Sequence, residues 1–121
     1  MAEQINPWSS TPKVNMNRLF EDFGIDPFEP QKERLGDLPA FIRRDIIQGH
    51  RGYDAISDAI ANKKPFHVLT GFMPSGHPHF GHLMVMKEVV WHISQGGQGF
   101  ISMADREAHA VRGLSWEKCD E

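Results

Sequence analysis

Three histidines, His77, His79 and His82, stand among Gly71, Pro74, Gly76, Pro78 and Gly81 in a stretch running from Leu69 to His82. Their chemistry depends on what that stretch joins. Upstream, Phe66-His67-Val68-Leu69 is a short apolar run of the buried-strand kind, bounded by Lys63-Lys64-Pro65. Downstream, Phe80, Leu83, Met84, Met86, Val89, Val90 and Ile93 recur at three- and four-residue intervals until Gly96-Gly97, which predicts a buried helix. A strand that turns into a helix leaves the first backbone N–H groups of the helix without partners. It also aims the positive end of the helix dipole at whatever lies above. Such a junction is an anion site. The glycines let a ligand approach without a Cβ in the way, and the spacing of His79 and His82 puts both on one face of the first turn. Imidazole N–H groups there can donate to phosphate oxygens, and these bonds strengthen as charge builds on a phosphoryl group.

Other roles for the same residues fit less well. A zinc site usually recruits a further Cys, Asp or Glu ligand with second-shell support, and interleaved glycine and proline fix no such geometry, so no metal ligands are assigned. Histidines that merely cap the helix start are the simpler structural alternative to phosphate binding. The glycine spacing is not GxGxxG, and no Gly-Lys-Ser/Thr follows, which removes the dinucleotide and P-loop readings.

His79-Phe80-Gly81-His82 has the HxGH form of the HIGH signature of class I aminoacyl-tRNA synthetases. Its lead-in, Gly71-Phe72-Met73-Pro74-Ser75-Gly76, and two later segments, Ala104 to Arg112 and Ser115 to Cys119, resemble the tryptophanyl-tRNA synthetases of the archaeal and eukaryotic type over nearly the whole chain. The resemblance implies an α/β fold, namely the amino-terminal part of a Rossmann-like doubly wound parallel-sheet nucleotide-binding fold preceded by a mostly helical segment. It implies ATP-dependent activation of tryptophan to the adenylate and transfer to tRNA(Trp). In that reaction the protein positions reactants and stabilises spreading phosphate charge. ATP is then a substrate, with Mg2+ expected alongside it, and the full-length enzyme is expected to be a homodimer.

Carried over residue by residue, His79 and His82 are the catalytic pair lining the ATP phosphates, and Gly81 lets adenine or ribose pack close. Gly71, Pro74, Ser75 and Gly76 border the nucleotide, while Gly71 and Glu107 contact the amino acid, Glu107 from the loop after the second strand. His77 falls in a variable slot. Tyrosyl-tRNA synthetase, which shares this stretch, and a non-catalytic nucleotide-binding paralogue are the alternatives. No KMSKS-like lysine loop and no helical anticodon-binding domain occur in these 121 residues. The sequence therefore reads as an amino-terminal fragment, inactive in isolation, with tRNA contacts mostly elsewhere. A sheet cut after its first strands would expose open edges and apolar faces, and poor solubility is expected.

Composition agrees with a globular protein and narrows the rest. The chain is 40% hydrophobic and 24% charged. A net charge of −3 argues against bulk electrostatic binding of nucleic acid. The single cysteine, Cys119, reads as an inert thiol in a reducing compartment. No apolar run approaches the ~20 residues that span a bilayer, and Met1-Ala2-Glu3-Gln4 lacks the basic and apolar regions of a signal peptide. A cytoplasmic location without membrane contact is the resulting expectation.

The site needs elements to hold it. A strand from His67 to Thr70, a helix from about Phe80 to Gln95 and a strand from Phe100 to Met103 make one βαβ unit, with both motifs beyond strand ends. The first half of the chain predicts a loop or edge hairpin around Pro7-Trp8, where Trp8 anchors the terminus; the family resemblance implies, as the alternative, that this segment folds over the nucleotide site. It also predicts a short helix over Asn17 to Phe23 stopped by Gly24, and an extended connector from Ile25 to Pro30. Asp37 is a plausible N-cap for a helix turning Leu38, Phe41, Ile42, Ile46 and Ile47 inward, with Arg43 and Arg44 on its solvated side. A further helix carries Tyr53, Ile56, Ala59 and Ile60, and Ser115 is the N-cap of a last one. Residues 1–65 are thus expected to form an amino-terminal extension and 66–121 the first half of a catalytic domain.

Overall fold

The computed structural model describes residues 20–21 and 23–120. The Pro7-Trp8 segment and the start of the helix expected from Asn17 lie outside them. Phe20, Glu21 and Phe23 are helical, and Gly24 with φ +57° ends that turn.

The chain then forms β1 (Asp26–Pro27), α1 (Glu29–Leu35), α2 (Ala40–Arg43), β2 (Gly49–His50) and α3 (Asp54–Ala61). Two of these differ from expectation. The extended connector is confined to β1, because Pro30 sits in the first turn of α1, where its missing N–H has no intrahelical partner to lose. The helix expected from Asp37 is a single turn: its N-cap is Pro39 with no side-chain hydrogen bond, and Asp45 at φ 57° turns the chain away after Arg44. Phe41 and Ile42 are buried as expected, Arg43 and Arg44 are exposed, and Ile46 is turned out. Gly49–His50 pairs antiparallel with Asp26–Pro27.

The core lies here. Phe28, Leu35, Phe41 and Ile42 are buried together, with Leu38, Ile47, Tyr53, Ile60 and Trp91 packed around them. A polar lock joins α1 to α3. Buried Ser57 donates its Oγ–H to Gln31 Oε1 (2.6 Å), Gln31 Nε2 donates to Asp54 Oδ1 (2.7 Å), and Arg34 pairs with both Asp54 and Asp58. With every buried side-chain polar atom of the described residues satisfied, this network specifies how the two helices meet.

The second half forms β3 (His67–Phe72), α4 (Phe80–Ser94), β4 (Gln98–Met103), α5 (Asp105–Arg112) and α6 (Trp116–Asp120). β3 and β4 pair in parallel, Leu69 opposite Phe100, with α4 as the crossover: the expected βαβ unit, its strands two residues longer than read. Gly99 faces α4, since a Cβ there would lie 2.6 Å from Ile93 Cδ1. The opposite face carries His67, Leu69 and Phe100, and the described residues leave it bare, Leu69 at 73% exposure. The expected burial of β3 and α4 is accordingly corrected. Only Val89 and His92 of α4 are buried, whereas Phe80 is 88% exposed and Leu83, Met84, Met86, Val90 and Ile93 are also turned substantially outward. A parallel strand is buried only when helices cover both faces, and here one crossover helix covers one.

His92 ties the halves together. Its Nδ1 lies 2.8 Å from the Glu88 carbonyl oxygen and must donate to it, which leaves Nε2 to accept from the Tyr53 O–H at 2.6 Å. Burial, with a smaller contribution from the Glu88 carboxylate, pushes the Tyr53 phenol well above the ordinary tyrosine range. The unfolded chain loses this proton near pH ~10 while the folded chain keeps it. Stability is therefore full below that pH and declines as pH rises through it. Thermal melts at pH 9 and 10.5 should show a steeper fall for the wild type than for Tyr53→Phe. The substitution itself should cost about 1–3 kcal/mol at neutral pH, because it strands the His92 acceptor. Equal alkaline falls in the two proteins would remove Tyr53 from this account.

Candidate active site

β3 ends at Phe72 and the chain reaches α4 through a loop rich in proline and glycine, with a tight turn in which the Ser75 N–H donates to Met73 O at 2.8 Å. α4 is the longest helix described, with no acidic residue in its first turn. No carboxylate in that turn competes with an incoming anion for the positive end of the dipole.

His79 and His82 meet at that end. His79 is the N-cap, in extended conformation at φ −135°, and His82 is the third helical residue. The two side chains cap reciprocally: the Gly81 N–H donates to His79 Nδ1 at 3.1 Å, and the His79 N–H donates to His82 Nδ1 at 3.2 Å. Their ring centroids are 4.0 Å apart, and the His82 ring lies 5.3 Å from that of Phe72. The sequence treats capping and phosphate binding as rivals, yet this geometry serves both. Because each Nδ1 accepts a backbone N–H, each neutral ring carries its proton on Nε2. Two Nε2–H donors at the mouth of a helix are thereby set in the tautomer that a phosphate oxygen requires.

Gly81 has a reason to be glycine that the sequence did not show. A Cβ there would sit 2.9 Å from His79 Cε1 and 3.0 Å from its Nδ1. Gly81→Ala should therefore swing the His79 ring off its cap. Helix propensity gained, up to about 1 kcal/mol, offsets a lost cap of similar size, so stability should change by less than about 1 kcal/mol. The ring protons of His79 in an NMR spectrum should move instead, and unchanged shifts would disprove the clash.

The remaining candidates are distributed unevenly. Gly71 lies inside β3 opposite Ser102, not beyond the strand, and has ordinary room around it. Pro74, Ser75 and Gly76 line a separate cleft with His77 and Pro78. Glu107 is corrected from a loop position to the first turn of α5, where it is exposed. The helix begins at Asp105, directly after β4, because the Ala108 N–H already bonds to Ala104 O. Sequence reasoning missed Lys118, which reaches the Pro74–Pro78 cleft, and no local pattern links a lysine in the last helix to that loop.

A parallel βαβ unit with an HxGH pair capping its crossover helix defines a class of protein. Residues 61–119 match the family model described as tRNA synthetases class I (W and Y). Its relatives there are tryptophan–tRNA ligases. It is 46% identical over 121 residues to the one from Methanosarcina acetivorans, covering 100% of this chain and 28% of that protein. Against the one from Archaeoglobus fulgidus it is 47% identical over 117 residues, covering 97% and 28%. The structure superposes on the crystal structure of tryptophanyl-tRNA synthetase from Aeropyrum pernix K1 with a TM-score of 0.75 at 40% identity, covering 88% of this chain and 30% of that one. The chain thus spans about 28% of the length of these curated relatives.

Proposed function

We propose that this chain supplies the phosphate-binding half of a tryptophan–tRNA ligase site: ATP activates tryptophan to the adenylate, and the aminoacyl group passes to tRNA(Trp). The observation that carries this reading is the His79–His82 pair, two Nε2–H donors at the acid-free start of α4. In-line attack of the tryptophan carboxylate on the α-phosphate spreads negative charge onto phosphate oxygens, and donors already in place stabilise it without reorganising. Gly71, Pro74, Ser75 and Gly76 border the nucleotide. Gly71 and Glu107 stand toward the amino acid, where an exposed Glu107 needs a closing element to gain discriminating power.

Residues 1–65 act as an amino-terminal extension and 66–121 as part of the catalytic domain, which pairs into a homodimer. Magnesium travels with the ATP phosphates. Among the described residues no three His, Cys, Asp or Glu side chains gather to hold a metal. No helix among them is long and apolar enough to cross a membrane.

The test is exchange of labelled pyrophosphate into ATP by the protein encoded by the full gene. Exchange driven by tryptophan is expected. Exchange driven by tyrosine would transfer the reading to the tyrosyl enzyme, and binding of ATP with neither exchange would make the protein a nucleotide-binding module. The 121-residue chain alone is expected to show no exchange, because among the described residues a single βαβ unit leaves one face of its sheet bare.

A further inference from the structure

α4 carries the histidine pair at one end and is held at the other. From Phe80 to Glu88 none of its residues is buried, and His82, Val85 and Glu88 are only half-buried. Its buried residues are Val89 and His92, near the C-terminal end. Two adjacent side chains fasten this end to the amino-terminal core. The His92 ring accepts from the Tyr53 O–H through Nε2 (2.6 Å) and donates through Nδ1 to Glu88 O (2.8 Å), so both nitrogens are committed. The Trp91 Nε1–H donates to Asp37 O at 3.2 Å, and its ring packs on the cluster of Phe28, Leu35, Phe41 and Ile42. The two rings meet edge to face, with centroids 4.7 Å apart.

Tyr53 is itself fixed. Its backbone N–H donates to His50 Nδ1 at 3.1 Å, and its ring lies against Phe28 with centroids 5.1 Å apart. The histidine end has no comparable anchor. Reciprocal capping fixes the His79 and His82 rings to α4 but does not fix α4 to the sheet. From β3 that end meets the Phe72 ring, 5.3 Å from that of His82, and among the described residues no hydrogen bond joins the two elements there. A helix is stiff over this length and passes a displacement at one end to the other. His82 precedes His92 by ten residues, about 15 Å of helix axis. A tilt of about 4° at His92 therefore moves the histidine end by about 1 Å, the size of misplacement that costs about a hundredfold at a reacting centre.

Resting on the nucleotide reading, we infer that Tyr53 and Trp91 are positioning residues for the phosphate site: the clamp they form on the far end of α4 sets where the Nε2–H donors of His79 and His82 stand against a bound triphosphate. Neither residue touches the nucleotide. The amino-terminal extension acts on the site through the body of the helix, and so shapes phosphate binding without lining the pocket.

Calorimetric titration of the chain with ATP, together with NMR of the His79 and His82 ring protons, tests this at a temperature well below the melting point of every variant. Tyr53→Phe keeps the ring and drops the O–H, and Trp91→Phe keeps an aromatic ring and drops the N–H. Each should weaken ATP binding about three- to fivefold and the two together about tenfold or more, because the bonds to phosphate are misaligned but not removed. The ring protons of His79 and His82, about 15 Å or more from the altered contacts, should shift in the same order. Ser57→Ala is the control: it breaks the buried hydrogen bond to Gln31 between α1 and α3 and lowers stability, but leaves the clamp on α4 intact. It should change neither ATP affinity nor the ring shifts. Clamp variants that melt lower yet keep wild-type ATP affinity and ring shifts would overturn the positioning role and leave the His79–His82 site standing. An equal loss of affinity in Ser57→Ala would also overturn it, by reducing the effect to one of general stability. A wild-type chain that does not bind ATP would remove both the nucleotide reading and the inference built on it.

Discussion

Replacing His79 and His82 together by alanine should weaken ATP binding by on the order of a hundredfold or more. Each ring supplies one hydrogen bond to a charged phosphate, worth roughly 1.5–3 kcal/mol, and every 1.4 kcal/mol is about tenfold in affinity. The same substitution also removes both caps of α4, at about 1 kcal/mol each, so lost binding could be confused with a frayed helix. His79→Asn separates the two. Asparagine is among the best N-cap residues and restores an acceptor for the Gly81 N–H, yet it is shorter than histidine and presents no donor where Nε2–H stood. Thermal stability of His79→Asn should stay near that of the wild type while ATP affinity falls by about tenfold. If instead the double alanine variant binds ATP normally while melting lower, the histidines are caps and nothing more. The nucleotide reading would then lose its carrying observation.

The second large effect is on stability. Ile42 is 1% exposed among Phe28, Leu35 and Phe41, in the part of the chain that precedes the sheet. Truncation to alanine leaves a cavity that these neighbours fill only in part, at a cost of about 3–4 kcal/mol. That is a large fraction of the roughly 5–15 kcal/mol that holds a typical domain together. Leu69→Ala on the bare sheet face removes as large a side chain, yet its cost should stay within about 0.5 kcal/mol, because the wild-type residue is 73% exposed. Urea midpoints of the two variants make the comparison. Equal losses would mean that the sheet face is covered in solution, by self-association of the chain, and the dependence of the Leu69→Ala midpoint on protein concentration would reveal it.

These two results concern different parts of the chain, and the distinction explains what was legible. The parallel βαβ unit could be read from sequence because its signal is local: an apolar run, a proline and glycine turn, a helical period, and Gly96-Gly97 to end it. Observed boundaries at Phe80 and Ser94 follow that pattern closely. Asp37 and the connector to Pro30 were misread because Asp and Pro each permit two local structures. The choice was made by packing, with Leu35 turned inward from α1 and Phe41 and Ile42 from α2.

Taken alone, the sequence determined which residue types stand at the strand-to-helix junction and that the helix start would attract an anion, since unpaired N–H groups follow from chain direction and need no partner. It also carried the family signature. Tertiary structure decided the rest. It turned His79 and His82 into mutual caps with defined tautomers, placed Tyr53 against His92 across the two halves, and brought Lys118 to a loop far upstream. Burial was likewise decided there, because the same apolar strand is core or surface according to whether a second layer lies over it. Side-chain chemistry is written residue by residue, whereas the contacts that set a tautomer or a burial join residues remote in sequence, and no local pattern encodes them.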